Sequence, residues 1–220
     1  AKLLLELRAD PHSYCLAERV PGDNALHIAC RRNKPACVEV LLAHDPTLGK
    51  TCTSRGEPPL YYAAMHEHFD AMEALRGHAH VDVDAGNRKG VTALHNAVLS
   101  GNQESVKRLL AMSCSVDVQT DRGETPLYVT CSTGNLGVID LLMAAGKVPS
   151  MLNVPDQDGF APFHVAHSQG HVDAAAYLMS KGARSSCVGR DCTKCRLWSK
   201  MSRRRLDRQK AAREAECTRQ

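Results

Sequence analysis

Gly123-Glu124-Thr125-Pro126-Leu127-Tyr128 is the stretch on which the fold turns, because the chain writes it five times. The other copies are Gly22-Asp23-Asn24-Ala25-Leu26-His27, Gly56-Glu57-Pro58-Pro59-Leu60-Tyr61, Gly90-Val91-Thr92-Ala93-Leu94-His95 and Gly159-Phe160-Ala161-Pro162-Phe163-His164. Their glycines stand 34, 34, 33 and 36 residues apart. A fixed period of this length is the mark of a stacked-repeat architecture. The motif also has a local reading. Glycine accepts positive φ at a turn. Thr92 or Thr125 can cap the helix that follows, and Pro126 suits a first helical turn. A short helix such as Leu94 to Leu99 comes next, then a break at Gly101, Gly134 or Gly170. A second helix then carries Val106, Leu109 and Leu110, or Val138, Leu141 and Leu142, at helical spacing. Polar turns such as Asn87-Arg88-Lys89-Gly90 return the chain. One such unit cannot bury its apolar face alone, whereas stacked units share one core. The expected fold is all-α: a solenoid of helix-turn-helix repeats with protruding turns.

The motif resembles the ankyrin repeat, whose signature is Thr-Pro-Leu-His-x-Ala on a period of about 33. The resemblance runs from residue 1 to about 183, with a partial repeat over 1–21 and five repeats starting near 22, 56, 90, 123 and 159. Residues 1–9 read as the second helix of a repeat whose first half is absent. The resemblance implies an ankyrin-type solenoid that acts by binding other proteins, with no cofactor. It also implies that His27, His95 and His164 bond to neighbouring turns. Some positions depart from the pattern. Asn24, Pro58 and Ala161 replace the capping Thr; Asn still caps, but Pro and Ala do not, at about 1 kcal/mol per helix start. Tyr61 and Tyr128 stand in for His, and extra residues between Lys147 and Asn153 lengthen the last period.

Composition agrees with a repeat protein. Aromatic residues are only 4% of the 220, which disfavours a core built on large rings. No apolar run reaches the length of a membrane span, and no signal peptide is read. Residue 1 is Ala within an apolar helical pattern, which reads as the interior of a longer protein. Ten cysteines in 220 residues fall below the roughly 8–10% of disulfide scaffolds, and six are scattered, so a reducing compartment is expected, cytosol or nucleus. Residues 184–220 hold twelve Lys/Arg against four Asp/Glu, whereas the remainder holds 16 against 20. The tail is therefore a separate segment.

Three groups of residues bear on possible chemistry. His66 and His68 form one His-x-His and His78 and His80 another, but the two pairs fall at opposite ends of a helix and cannot share one zinc ion. In the tail, Cys187, Cys192, Cys195 and Cys217 offer half a zinc motif without its second half. Zinc, a redox pair and adventitious thiols remain open there. No phosphate loop, nucleophile elbow or His-Glu-x-x-His is present, and the carboxylates read as solvent-facing, so no catalytic residue is assigned. The stretch from Lys194 to Ala215 lacks Pro and Gly and reads as a helix. It is either a cap packing Leu197, Trp198 and Met201 on the last repeat, a nuclear address or nucleic-acid contact through Arg203-Arg204-Arg205, or a membrane-surface or calmodulin-type helix.

The surface expected to bind a partner is the concave strip of turn tips and first-helix ends. Its candidates are Arg31, Arg32, Arg55, Met65, His66, Arg88, Lys89, Val91, Leu99, Arg122 and Phe160. Arginine and large apolar groups are the usual anchors of interfaces. The strip is basic over the first three repeats and more acidic over the fourth and fifth, which suits a protein partner whose acidic or extended segment lies across the first three.

Overall fold

The computed structural model describes residues 22–145 and 151–184. The partial repeat at 1–21, and the tail from 185 onward with its expected helix and its cysteines, lie outside the described residues. Five helix pairs follow one another: α1 (Ala25–Arg31) and α2 (Pro35–His44); α3 (Pro59–Met65) and α4 (Phe69–Arg76); α5 (Ala93–Ser100) and α6 (Gln103–Ala111); α7 (Pro126–Thr133) and α8 (Leu136–Ala145); α9 (Pro162–Ser168) and α10 (Val172–Ser180). Among the described residues no strand forms beyond an isolated antiparallel bridge between Gly86 and Thr92. First helices pack on first helices along one row, α1 to α9, and second helices form the other row. This is the solenoid that the period requires.

The helix starts follow the motif. Asn24 Oδ1 accepts from the N–H groups of Leu26 and His27 at 3.0 and 3.1 Å. Thr125 Oγ1 accepts from Tyr128 N–H at 3.2 Å. Pro58 and Ala161 supply no side-chain cap. There Pro59 and Pro162 open the helix and remove a donor that would have had no helical partner. The motif histidines also serve their own helix starts. Their Nδ1 atoms accept from the backbone N–H three residues back, at 3.3 Å from Asn24, 3.2 Å from Thr92 and 3.0 Å from Ala161. In His95 the other nitrogen, Nε2, donates to the Glu124 carbonyl of the next repeat at 3.1 Å.

The core is continuous from repeat to repeat. The motif's apolar residue, Leu26, Leu60, Leu94, Leu127 or Phe163, is at most 1% exposed in every copy. Second helices bury Val38 and Leu42, Met72 and Leu75, Val106 and Leu109, Val138 and Leu142, and Leu178 against the same core. Each such side chain contributes about 1.5–3 kcal/mol when fully buried.

The protruding turns are fingers, and each is built by the residue three before its glycine. Thr53, Asn87, Thr120 and Asp156 each use one side-chain oxygen to accept two backbone N–H groups. Each finger is then tied to the next by a backbone bond: Arg88 N–H to the Arg55 carbonyl (3.1 Å), Asp121 N–H to Lys89 (2.9 Å), and Gln157 N–H to Arg122 (2.9 Å). Glycine is required at the tip. A Cβ on Gly90, at φ +71, would meet Thr120 Cα at 3.0 Å and Asp121 N at 3.1 Å.

Candidate partner-binding surface

The finger ladder places Arg55, Arg88, Lys89 and Arg122 on three successive tips, all exposed. Their backbone carbonyls or N–H groups are engaged in the ladder, so the chain is held while the cationic side chains point to solvent. Arg32 is exposed at the C-cap of α1, and His66 is exposed at the C-cap of α3. Burial lowers the His66 pKa, and the charges of His68 and Arg31 lower it further.

Arg31 is placed differently from its expected role. Its guanidinium pairs with the Asp23 carboxylate at 3.0 Å, with 15% of the Arg31 side chain and none of Asp23 exposed. It also lies 6.0 Å from the ring of Tyr62, whose hydroxyl donates to Glu57 Oε2 at 2.6 Å. Asp23 and Glu57 are therefore buried, not solvent-facing as expected. Arg31 pairs with Asp23, and the Tyr62 hydroxyl of the second repeat bonds to Glu57, so both carboxylates find partners inside the stack. Burial pushes the Asp23 carboxyl up, and the charge of Glu57 adds to that, while the contact with Tyr62 opposes it. Nearby, burial pushes His27 down to about 4, so it stays neutral at physiological pH. This cluster ties the first two repeats together.

The apolar candidates are spread along the strip from the second repeat to the fifth. Leu99 is 58% exposed and Met65 45% exposed, at the ends of α5 and α3. Val91 is half-buried. So is Phe160, whose ring stands edge-on to His164 at 6.4 Å. Val91 and Leu99 share a cleft of about 380 Å³ that crosses the third, fourth and fifth repeats. His95 and Asn96 complete its third-repeat wall, Thr120, Glu124, Tyr128, Val129 and Ser132 come from the fourth, and Val165 and Gln169 from the fifth. Met65, Phe160 and the basic tips do not line it.

Asn96 is the residue that sequence reading missed. It stands six residues after the repeat glycine, in a column with Ile28, Tyr62, Val129 and Val165. That column faces the concave side, and the repeat register alone marks it once the facing side is known. Its Nδ2 is buried with no hydrogen-bond partner among the described residues.

No group of three or more His, Cys, Asp or Glu side chains among the described residues is arranged to hold a metal ion. His68 is committed elsewhere: its Nδ1 donates to the Cys30 carbonyl. No helix among the described residues is long and apolar enough to cross a membrane.

Comparison with known proteins agrees with this architecture. The family model for ankyrin repeats in three copies matches residues 1–86, 47–120 and 94–187. Over 159 residues, 72% of the chain, the sequence is 26% identical to ankyrin repeat protein nuc-2 of Neurospora crassa. It is 34% identical over 65% of the chain to SH3 and multiple ankyrin repeat domains protein 2 of Homo sapiens. With the B-cell lymphoma 3 protein homolog of Mus musculus it shares 28% over 74%. The matched regions are 14%, 7% and 29% of those three proteins, so the chain spans less than a third of each. With five stacked helix pairs joined by fingers and a family model matched along most of its length, the chain belongs to the ankyrin repeat family.

Proposed function

We propose that the chain is a scaffold or adaptor module that grips a partner protein along the concave strip, with an acidic, extended segment of the partner lying on the fingertips. The observation that carries this reading is the row of exposed cations, Arg55, Arg88, Lys89 and Arg122, on tips linked by backbone bonds. A held row of cations, offset at the fourth tip by the exposed Asp121, raises the local concentration of acidic partners and speeds their docking. Arg32 extends the row toward the first repeat. Arg31 plays no direct part, because Asp23 already neutralises it. The expected partner is therefore read by the fingers of the second to fourth repeats. Cys30, Cys37, Cys52, Cys114 and Cys131 are free thiols, which supports work in a reducing compartment, cytosol or nucleus.

Affinity capture tests the reading, with the chain as bait in its native form, as Arg88→Glu/Lys89→Glu, and as Glu39→Lys on the outer helix α2. Partners held by the strip are lost from the double reversal and kept by the outer-helix control. Equal recovery on all three baits discards the placement.

A further inference from the structure

We propose that the cleft across the third to fifth repeats is a second contact point, which takes one apolar side chain of the partner's extended acidic segment and the peptide group beside it. This rests on the strip reading above and deepens it by stating what lies next to the acidic residues.

The first observation is apolar surface without cover. Leu99 is the most exposed large apolar side chain among the described residues, at 58%, and it stands on the cleft's edge. Val91 and Val129 face the same space. Burying such surface against another apolar group is favourable in proportion to the area removed from water.

The second observation is Asn96. Its amide sits in the cleft wall, and its Nδ2 is buried without an acceptor among the described residues. A buried donor left unpaired is unfavourable, and native structures rarely keep one. Turned about its Cβ–Cγ bond, that amide would meet a ligand in the cleft. There a carboxamide matches a peptide group, since it offers N–H to the carbonyl and C=O to the N–H. An extended strand is the ligand form that leaves those groups free.

Charge sets the direction and the class of ligand. Val91 in the cleft wall follows Lys89 and Gly90 on the same finger. Glu124, half-buried in the cleft, repels a carboxylate placed inside it. The partner's acid therefore belongs on the fingertips and its apolar side chain in the cleft. At about 3.3–3.6 Å per extended residue, a spacing of two to four residues joins the two. The volume of about 380 Å³ suits one or two large side chains.

Panning a random dodecapeptide phage library on the full 220-residue chain tests this, with selected peptides then labelled with fluorescein and titrated by anisotropy. The enriched peptides should carry an acidic residue two to four positions from Leu, Ile, Met or Phe. Leu99→Glu, a surface change checked for folding by circular dichroism, should weaken binding tenfold or more. Alanine at the peptide's apolar residue should do the same without altering the protein. Arg88→Glu/Lys89→Glu should also weaken binding. Peptides sensitive to the charge reversal but indifferent to Leu99→Glu overturn the cleft and leave the strip standing. Peptides sensitive to Leu99→Glu alone keep the cleft and discard the strip. No enrichment, or indifference to both changes, overturns the proposal.

Discussion

His68 Nδ1 lies 2.9 Å from the carbonyl oxygen of Cys30, in the repeat before its own. A carbonyl only accepts, so the proton sits on Nδ1 and the ring is a donor. The same step recurs along the stack: Asn135 Nδ2 donates to the Gly101 carbonyl at 3.2 Å, and His171 Nε2 to the Ser132 carbonyl at 3.0 Å. Each side chain pairs the carbonyl end of a first helix with the following repeat, where such groups lack helical partners. His68→Ala should therefore lower unfolding free energy by about 1 kcal/mol. His68→Asn should retain most of it, because Asn135 makes the equivalent bond. Urea unfolding of the three proteins checks this; equal midpoints for all would refute it.

The turn between paired helices needs a left-handed residue. Gly101, Gly134 and Gly170 supply it at φ 74, 71 and 81°, but in the second repeat Glu67 holds φ 58°. A side chain with a Cβ pays about 1–2 kcal/mol for that conformation. Glu67→Gly should raise stability by about 1 kcal/mol and lift the melting temperature by a few degrees. Asn33, at φ 48°, should not gain from the same change. Its Oδ1 accepts from Ala71 N–H and its Nδ2 donates to Asp70, so removing the side chain breaks two bonds to the next repeat. Thermal denaturation of both variants separates the cases.

At the fingertip the substitution runs the other way. Gly90→Ala forces a Cβ against Thr120 and Asp121 and strains a left-handed φ. The neighbouring finger must move, and the Asp121 to Lys89 bond is lengthened. The expected loss is about 2–3 kcal/mol, from the conformational cost and one lost bond. A midpoint within error of the native chain would show that the fingers do not bear on one another.

How far the sequence foretells this molecule depends on what a residue must find nearby. The motif glycines, caps and Leu26, Leu60, Leu94, Leu127 and Phe163 act within one repeat or between identical repeats, so the period exposes them. Thr53, Asn87, Thr120 and Asp156 share a register position and a side-chain oxygen, but Thr, Asn and Asp do not match as a motif, and their part in the fingers went unread. Arg31 was not legible either. It occupies the column of Met65 and Leu99, and nothing in that column announces that Asp23 will claim it or that Tyr62 will cover the pair. Asn96 was missed for a related reason. Its column runs Ile, Tyr, Asn, Val and Val, and only the folded stack shows that Asn96, Val129 and Val165 line one cleft.

Acid should weaken the stack. The unfolded His27 takes up a proton near pH 6.5, whereas burial holds the folded side chain at about 4. Between those values the unfolded state binds the extra proton, so stability is full above pH 6.5 and falls by about 1.4 kcal/mol per pH unit toward 4. His95, lowered by burial as well, adds to the fall. Asp23, whose carboxyl is raised, protonates earlier when folded and offsets part of the loss at the acid end. Urea midpoints between pH 7.5 and 4.5 should trace this decline, and His27→Gln should flatten it.

The rungs between fingers carry one more consequence. Along the ladder Arg88 joins Arg55, Asp121 joins Lys89, and Gln157 joins Arg122 and Asp121, so each unit leans on its immediate neighbours. Tension applied to the two ends would therefore not rupture the molecule in one event. It would peel away in small successive steps, and a partner laid across several units would act as a splint against that unravelling.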